Sequence, residues 1–304
     1  MAFLIIAPGR DTTELDAELH RLAPDLDLRR WPAIGRADEV RFALAWNPPA
    51  GAFEGLPALR AVASLGAGVD TLVDRPDLPE TVPVTRLAGP RLAADLAAYL
   101  VAMTVDWWKR LDEQRHAGTW RPLPPRRPPR VGLLGLGRMG RAAAHAFRAL
   151  DLDVAGWNRS GQAPDGLAVE HGRAGLHRLA ERSDVLINLL PLTPATRGIV
   201  DGALLAALPD DSLLINVGRG AHVVEGDLLA ALDDGRPGRA VLDVFATEPL
   251  LDDHPFRQHP GVVVTPHVAA LTDPREAAEL ALAQWRCIER GAAPPDAVDR
   301  VRGY

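Results

Sequence analysis

Over the first third of the chain, apolar residues come in short runs bounded by Pro and Gly. Phe3 to Ala7, Phe42 to Trp46 and Ala61 to Leu65 are such runs, and Leu15, Leu19 and Leu22 between the first two keep a helical spacing. This pattern predicts strands alternating with helices, and hence a parallel sheet. From about Arg91 to His116, an Ala-rich and then Trp-rich stretch predicts one long helix. The prolines between Arg121 and Arg130 forbid a regular helix and predict an extended connector. A second series then opens at Val131-Gly-Leu-Leu-Gly135. Its strand-like runs are Asp153 to Trp157, Val185 to Leu189, Leu213 to Val217, Ala240 to Val244 and Val262 to Thr265. Their near-continuous apolar character suits strands covered on both faces. A last helix is predicted from Pro274 to about Arg290.

Composition narrows the class. A chain of 304 residues exceeds what one core usually serves, so two domains are expected. With 34 basic and 40 acidic residues the formal net charge is −6, which points to neither a nucleic-acid nor a membrane-surface partner. The single cysteine, Cys287, excludes an intrachain disulfide and a cysteine-rich metal site, and no metal is expected. The apolar run at the start reads as a buried strand rather than a signal peptide, and no stretch approaches the roughly 20 residues that span a bilayer. A soluble cytoplasmic protein is the expectation. Lys109 is the sole lysine.

Chemistry enters at Gly135-Leu136-Gly137-Arg138-Met139-Gly140, which follows a predicted strand and opens a predicted helix. Gly135 permits a tight turn, Gly137 lets the backbone approach a pyrophosphate, and Gly140 lets helix and strand pack closely. The helix N-terminus offers free N–H groups to the phosphates. The next strand ends in Asn158-Arg159-Ser160 and lacks the carboxylate that usually binds the adenosine ribose of NAD. Asn158 removes repulsion toward a 2′-phosphate, and Arg159 with Ser160 could bind it. NADPH is therefore the expected cofactor, with NAD as a weaker alternative.

Three later strand ends carry Arg219, Glu248 and His267. Hydride arriving at a keto carbon leaves charge on oxygen, so a proton donor and a fixed cation must stand near. Histidine suits the first task, a neighbouring carboxylate favours its charged form, and arginine suits the second. Singly, Arg219 could be a surface ion pair and His267 a core histidine; behind a nucleotide fold, the set points to carbonyl reduction.

Several segments together resemble the D-isomer-specific 2-hydroxyacid dehydrogenase family, and within it the glyoxylate/hydroxypyruvate reductase A branch. They are Ser64-Leu-Gly-Ala-Gly-Val-Asp70, Trp120-Arg-Pro-Leu-Pro124, Ile187-Asn-Leu-Leu-Pro191, Thr265-Pro-His-Val-Ala-Ala270 and Val298-Asp-Arg-Val-Arg-Gly-Tyr304. The resemblance implies a Rossmann-type cofactor domain, residues 95–272, inserted into a flavodoxin-like substrate domain made of 1–94 and 273–304. Both are doubly wound α/β folds, and the active site is expected in the cleft. By the same resemblance Arg219 holds the substrate, Glu248 pairs with His267, and His267 is the general acid. The loop Leu65, Gly66, Ala67 and Gly68 holds the substrate carboxylate through its amides. Leu190, Pro191, Val217, Gly218 and Asp243 join the cofactor site, with Asp243 near the nicotinamide carboxamide. Trp46 either walls the pocket or packs in the core.

The implied substrates are small 2-keto acids, glyoxylate and hydroxypyruvate, and the implied assembly is a homodimer with Trp107, Trp108 and Trp120 at its surface. One departure stands out: Ala88-Gly-Pro-Arg-Leu-Ala-Ala-Asp95 replaces a more polar and acidic segment of the relatives. Two alternatives remain beside this reading. One is a nicotinamide-binding sensor with weak turnover, and the other is the same chemistry on a bulkier keto acid. A β-hydroxyacid dehydrogenase is excluded, because the only lysine precedes the glycine motif and about 130 residues stand before it.

Overall fold

The computed structural model describes every residue except Thr119 and Pro125, the latter within the proline-rich connector; the side chain of Asp165 is likewise left aside. The chain divides into two compact units, Met1–Leu92 with Thr272–Tyr304, and Ala93–Leu271.

In the first unit, β1 (Ala2–Ile6), α1 (Thr13–Leu22), β2 (Leu28–Arg30), β3 (Val40–Ala45), β4 (Ala61–Ser64) and β5 (Val84–Arg86) build a five-stranded parallel sheet. Its strand order is β2-β1-β3-β4-β5. The two-residue period of a strand sends Phe3, Ile5, Phe42 and Leu44 to one face, where they pack with Leu15 and Leu19 of α1 and Trp285 of the C-terminal helix, Pro274–Glu289. The other face, carrying Leu4, Ile6 and Ala43, is covered by Phe53, Leu56, Leu72 and Leu78. These four come from turns rather than helices, because Pro48, Pro49, Pro57, Pro76 and Pro79 interrupt every potential helix there. Each such side chain contributes about 1.5–3 kcal/mol on burial.

The divergent segment has a structural role in this unit. Buried Glu276, on the C-terminal helix, accepts the amides of Arg91 at 2.9 Å and Leu92 at 3.1 Å. A Cβ on Gly89 would lie 2.2 Å from the Glu276 carboxyl carbon, so glycine makes room for this cap.

The long helix predicted over Arg91–His116 is two helices, α2 (Pro90–Trp108), which belongs to the second unit from Ala93 onward, and α3 (Leu111–His116). The break falls at Arg110, whose φ is +55°. Arg126 of the connector donates to the Trp107 carbonyl at 2.8 Å and stacks on the Trp107 ring, which ends the helix there. Trp107, expected at a dimer surface, is instead 6% exposed among Leu96, Leu100 and Phe147. Packing within its own chain accounts for it.

Seven parallel strands follow: β6 (Arg130–Leu134), β7 (Asp153–Trp157), β8 (Ala168–Glu170), β9 (Val185–Asn188), β10 (Leu213–Asn216), β11 (Arg239–Leu242) and β12 (Val262–Val264). They lie in the order β12-β11-β10-β9-β6-β7-β8. Helices α4 (Arg138–Arg148), α5 (Gly172–Arg182), α6 (Gly202–Ala206), α7 (Glu225–Asp233) and α8 (Pro255–Gln258) connect them. The order reverses between β6 and β9, and at such a switch point ligands bind beyond the carboxyl ends of the strands.

Asp184 ties this sheet together before β9. Its carboxylate accepts the Arg130 amide at 2.8 Å and the guanidinium groups of Arg127 and Arg130. Burial pushes the carboxyl up, but the Arg130 hydrogen bonds and both positive charges outweigh it and hold it below the usual carboxylate range. Its stabilising contribution is thus present above the unfolded carboxylate range and lost as pH falls through the lower folded value. Asp184→Asn is expected to cost about 2 kcal/mol at neutral pH, and almost nothing at a pH where both forms are protonated. Thermal melts at the two pH values check this; an equal deficit at both would refute it.

Candidate active site

The glycine motif follows β6 and opens α4. Gly135 has φ +99°, and a Cβ there would sit 3.1 Å from the Leu189 carbonyl oxygen, so only glycine turns the chain at this point. At Gly140 the Cβ would lie 2.0 Å from the Gly135 oxygen. Gly137, the N-cap, has nothing within 4 Å of its Cβ position and no side chain over the helix end. No side chain caps this helix end, which suits it to receive a phosphate. This cradle fits a dinucleotide.

Beyond β7, Asn158 organises its own loop. Its amide nitrogen donates to the Gln162 carbonyl at 2.8 Å, and its oxygen accepts the Gly161 amide at 2.6 Å and the Ser160 hydroxyl at 3.2 Å. Arg159 and Ser160 are exposed on that loop. A neutral amide shapes the turn, and a cation and a hydroxyl are displayed on it.

Beyond β10, Arg219 stands on a rigid loop. Its guanidinium donates to the Gly218 carbonyl at 2.8 Å, and its carbonyl accepts from Asn216 at 3.1 Å. The hub of this loop is His222, fully buried and absent from the residues singled out by sequence. Its Nδ1 accepts from the Arg219 amide at 3.1 Å and lies 2.8 Å from the Asn188 side-chain nitrogen, while Nε2 lies 3.2 Å from the Pro191 carbonyl. That network assigns the proton to Nε2. The three-residue spacing from Arg219 to His222 was the available signal, but buried histidines of this kind are usually structural. The neighbouring Gly220 packs backbone against backbone: a Cβ there would fall 1.8 Å from the Phe245 carbonyl carbon.

Glu248 and His267 meet. His267 Nδ1 lies 2.9 Å from one Glu248 oxygen, while the other accepts the Phe245 amide at 2.9 Å. Nδ1–H therefore donates to the carboxylate, leaving Nε2 for other chemistry. Burial pushes the Glu248 carboxyl up, but hydrogen bonds from His267 and the Phe245 amide, with the charges of His267 and Arg219, hold it below the usual carboxylate range.

His267 occupies a left-handed backbone conformation, φ +55°, which costs a non-glycine residue energy unless its surroundings impose it. Asp243, 1% exposed, imposes it. One Asp243 oxygen accepts the Thr265 hydroxyl at 2.5 Å and the Val268 amide at 2.9 Å; the other accepts the Ala269 amide at 2.9 Å. The Asp243 carbonyl accepts the His267 amide at 2.9 Å. Since Thr265 donates to Asp243, Tyr99 donates to Thr265 across 2.7 Å. Burial, partly offset by that bond, pushes the Tyr99 phenol up to about 12.

In the first unit, the loop after β4 buries Gly66 and partly exposes Ala67 and Gly68. Among the described residues the amides of these three have no acceptor within the protein. None of the three has a positive φ, so left-handed freedom is not why glycine stands here. Gly66 instead makes room for Trp46, whose ring lies 3.2 Å from its Cβ position. Trp46 thus packs directly against the amide loop. Among the described residues no group of three or more His, Cys, Asp or Glu could hold a metal.

The chain is similar to known proteins in both sequence and fold. The family described as D-isomer specific 2-hydroxyacid dehydrogenase, NAD binding domain, matches residues 99–269. A glyoxylate/hydroxypyruvate reductase A of Klebsiella pneumoniae is 38% identical over the full length of both chains. A D-isomer specific 2-hydroxyacid dehydrogenase of Xanthobacter autotrophicus, solved with NADPH and MES, superposes with a TM-score of 0.93 at 38% identity, covering 100% of this chain and 99% of that one. An NADPH-dependent glyoxylate/hydroxypyruvate reductase of Sinorhizobium meliloti, solved with NADP and sulfate, gives 0.91 at 33% identity and 100% coverage of both.

Proposed function

Since the chain belongs to the D-isomer specific 2-hydroxyacid dehydrogenase family, we propose that it reduces glyoxylate and hydroxypyruvate to 2-hydroxy acids with NADPH. The observation that carries this reading is the His267–Glu248 pair at 2.9 Å, with Arg219 close enough to lower the Glu248 carboxyl. NADPH, when bound, supplies the hydride. His267 holds the proton that Nε2 passes to the keto oxygen, and Glu248 stabilises the charged imidazole before that transfer. Arg219 opposes the negative charge developing on the oxygen. In the first unit, the free amides of Gly66, Ala67 and Gly68 take the substrate carboxylate, and Trp46 walls that loop.

Gly135, Gly137, Arg138, Met139 and Gly140 would cradle the pyrophosphate, with Leu190, Pro191, Val217 and Gly218 completing the cofactor site. Asp243 keeps a place in it. A carboxylate offers about four lone-pair positions, and protein donors occupy three, leaving one for a carboxamide. Arg159 and Ser160 would bind the 2′-phosphate. Specificity should favour NADPH over NADH by about tenfold or more, or 1.4 kcal/mol. Asn158→Asp should invert the preference by repelling the phosphate. Equal kcat/KM for both cofactors in the unaltered protein would overturn this assignment.

The deciding experiment is steady-state reduction of glyoxylate, hydroxypyruvate and pyruvate with each cofactor. Rapid NADPH-dependent turnover of the first two is expected. NADPH binding without any turnover would instead indicate a sensor. We also propose a soluble cytoplasmic homodimer. No helix among the described residues is long and apolar enough to cross a membrane, and Trp120 is fully exposed beyond α3. A monomer by light scattering at micromolar concentration would refute the dimer.

A further inference from the structure

The first unit carries a cation that the chemistry above does not use. Its sheet reverses order between β1 and β3, so its own switch point lies where those two strands end. Arg10 follows β1 and Trp46 follows β3, and the Arg10 guanidinium lies 4.2 Å over the Trp46 ring. Trp46 in turn touches Gly66 of the amide loop. Arg10, Trp46 and the loop thus form one continuous contact chain along the carboxyl edge of the sheet. Arg10 also borders a cleft of about 200 Å³ that Leu65 shares.

The charge of Arg10 is left uncompensated. Among the described residues its guanidinium has no carboxylate partner and no hydrogen bond; the stacking on Trp46 is its one described side-chain interaction. Asp11 lies beside it in sequence but spends its carboxylate on the Thr13 amide at 2.9 Å and hydroxyl at 2.7 Å. Glu14, also on the cleft, is exposed on α1. Burial lowers the Arg10 pKa, the sign of a guanidinium stripped of water without an anion in return.

We propose that Arg10 is a specificity-determining residue that recognises a second anionic group on the keto acid, so that dicarboxylic 2-keto acids are favoured over their monocarboxylic counterparts. The inference rests on the reading of Gly66 to Gly68 as the grip for the first carboxylate. With that carboxylate held by amides, a substituent further along the substrate meets Arg10, whose stacking on Trp46 fixes the plane of its donor fork.

The test compares kcat/KM for oxaloacetate and 2-oxobutanoate, four-carbon keto acids that end in a carboxylate and a methyl group. It uses the full chain with NADPH. Arg10→Gln is expected to lose about tenfold more on oxaloacetate than on 2-oxobutanoate, mainly through KM, and Arg10→Lys should keep part of the difference. Equal losses on both substrates, or none on either, would overturn the proposal. If the unaltered protein reduces no keto acid, the reductase reading fails by itself, and calorimetric titration with malonate then decides the role of Arg10. Binding weakened about tenfold by Arg10→Gln supports it; unchanged or undetectable malonate binding to the unaltered protein overturns it.

Discussion

Replacing His267 with alanine is expected to lower kcat for keto-acid reduction by roughly 10²-fold or more, with a far smaller change in KM. The reasoning starts from which nitrogen is free: Nδ1 is committed to Glu248 at 2.9 Å, so proton delivery falls to Nε2. Alanine removes that proton and also leaves an unsuited residue at φ +55°. His267→Asn separates the two effects, because asparagine tolerates the left-handed conformation without supplying an acid. Both variants should be equally impaired. Recovery of near-normal turnover in the asparagine variant would show that backbone geometry, rather than proton transfer, was lost. The pair also has a pH consequence. With its carboxyl held below the usual range, Glu248 stays ionised through the weakly acidic region and becomes protonated only below the ordinary glutamate value. Reduction should therefore show no loss traceable to Glu248 until the pH drops beneath that value.

Arg219→Ala should cost about 10²–10³ in kcat/KM, the scale for removing one preorganised donor from a developing oxyanion. Lysine is not expected to restore it. The guanidinium donates to the Gly218 carbonyl at 2.8 Å, a contact that holds the plane of its fork. An ammonium is a point charge without that fork. The His222–Arg219 amide bond survives either substitution, so the loop should hold its shape and melting temperature should move little. If Arg219→Lys retained most of the activity, charge alone would suffice and the directional role would be withdrawn.

Much of the second unit was readable because most of its strands are short apolar runs with polar residues only at their ends. Asp153 to Trp157 is the strand that forms, and the run Leu213 to Val217 forms a strand one residue shorter, Leu213–Asn216. The three-residue strands β2, β5 and β8 went unseen, since so short a run shows no periodicity and owes its pairing to neighbours already in place. The helix break at Arg110 was hidden for a related reason. Nothing local forbids a helix there, and it is Arg126, sixteen positions on, that claims the Trp107 carbonyl. Glu276 capping Arg91 and Leu92, or His222 bracing Arg219, likewise depend on partners set by the fold rather than by spacing. The glycine motif and the three strand-end residues could be found because their chemistry restricts which residue types can serve. Arg10 could not, because an arginine after a strand is common and only its stacking on Trp46 sets it apart.

The contact between Gly220 and the Phe245–Ala246 backbone bears on how this scaffold can be re-engineered. Any other residue at 220 would place an atom inside the opposing peptide, 1.8 Å from one backbone atom and 2.2 Å from the next. The segment bearing Arg219 and the turn bearing Glu248 are consequently not interchangeable parts. A loop grafted from another dehydrogenase at either position would have to bring its counterpart with it, and a saturation library at 220 should return glycine alone among active clones.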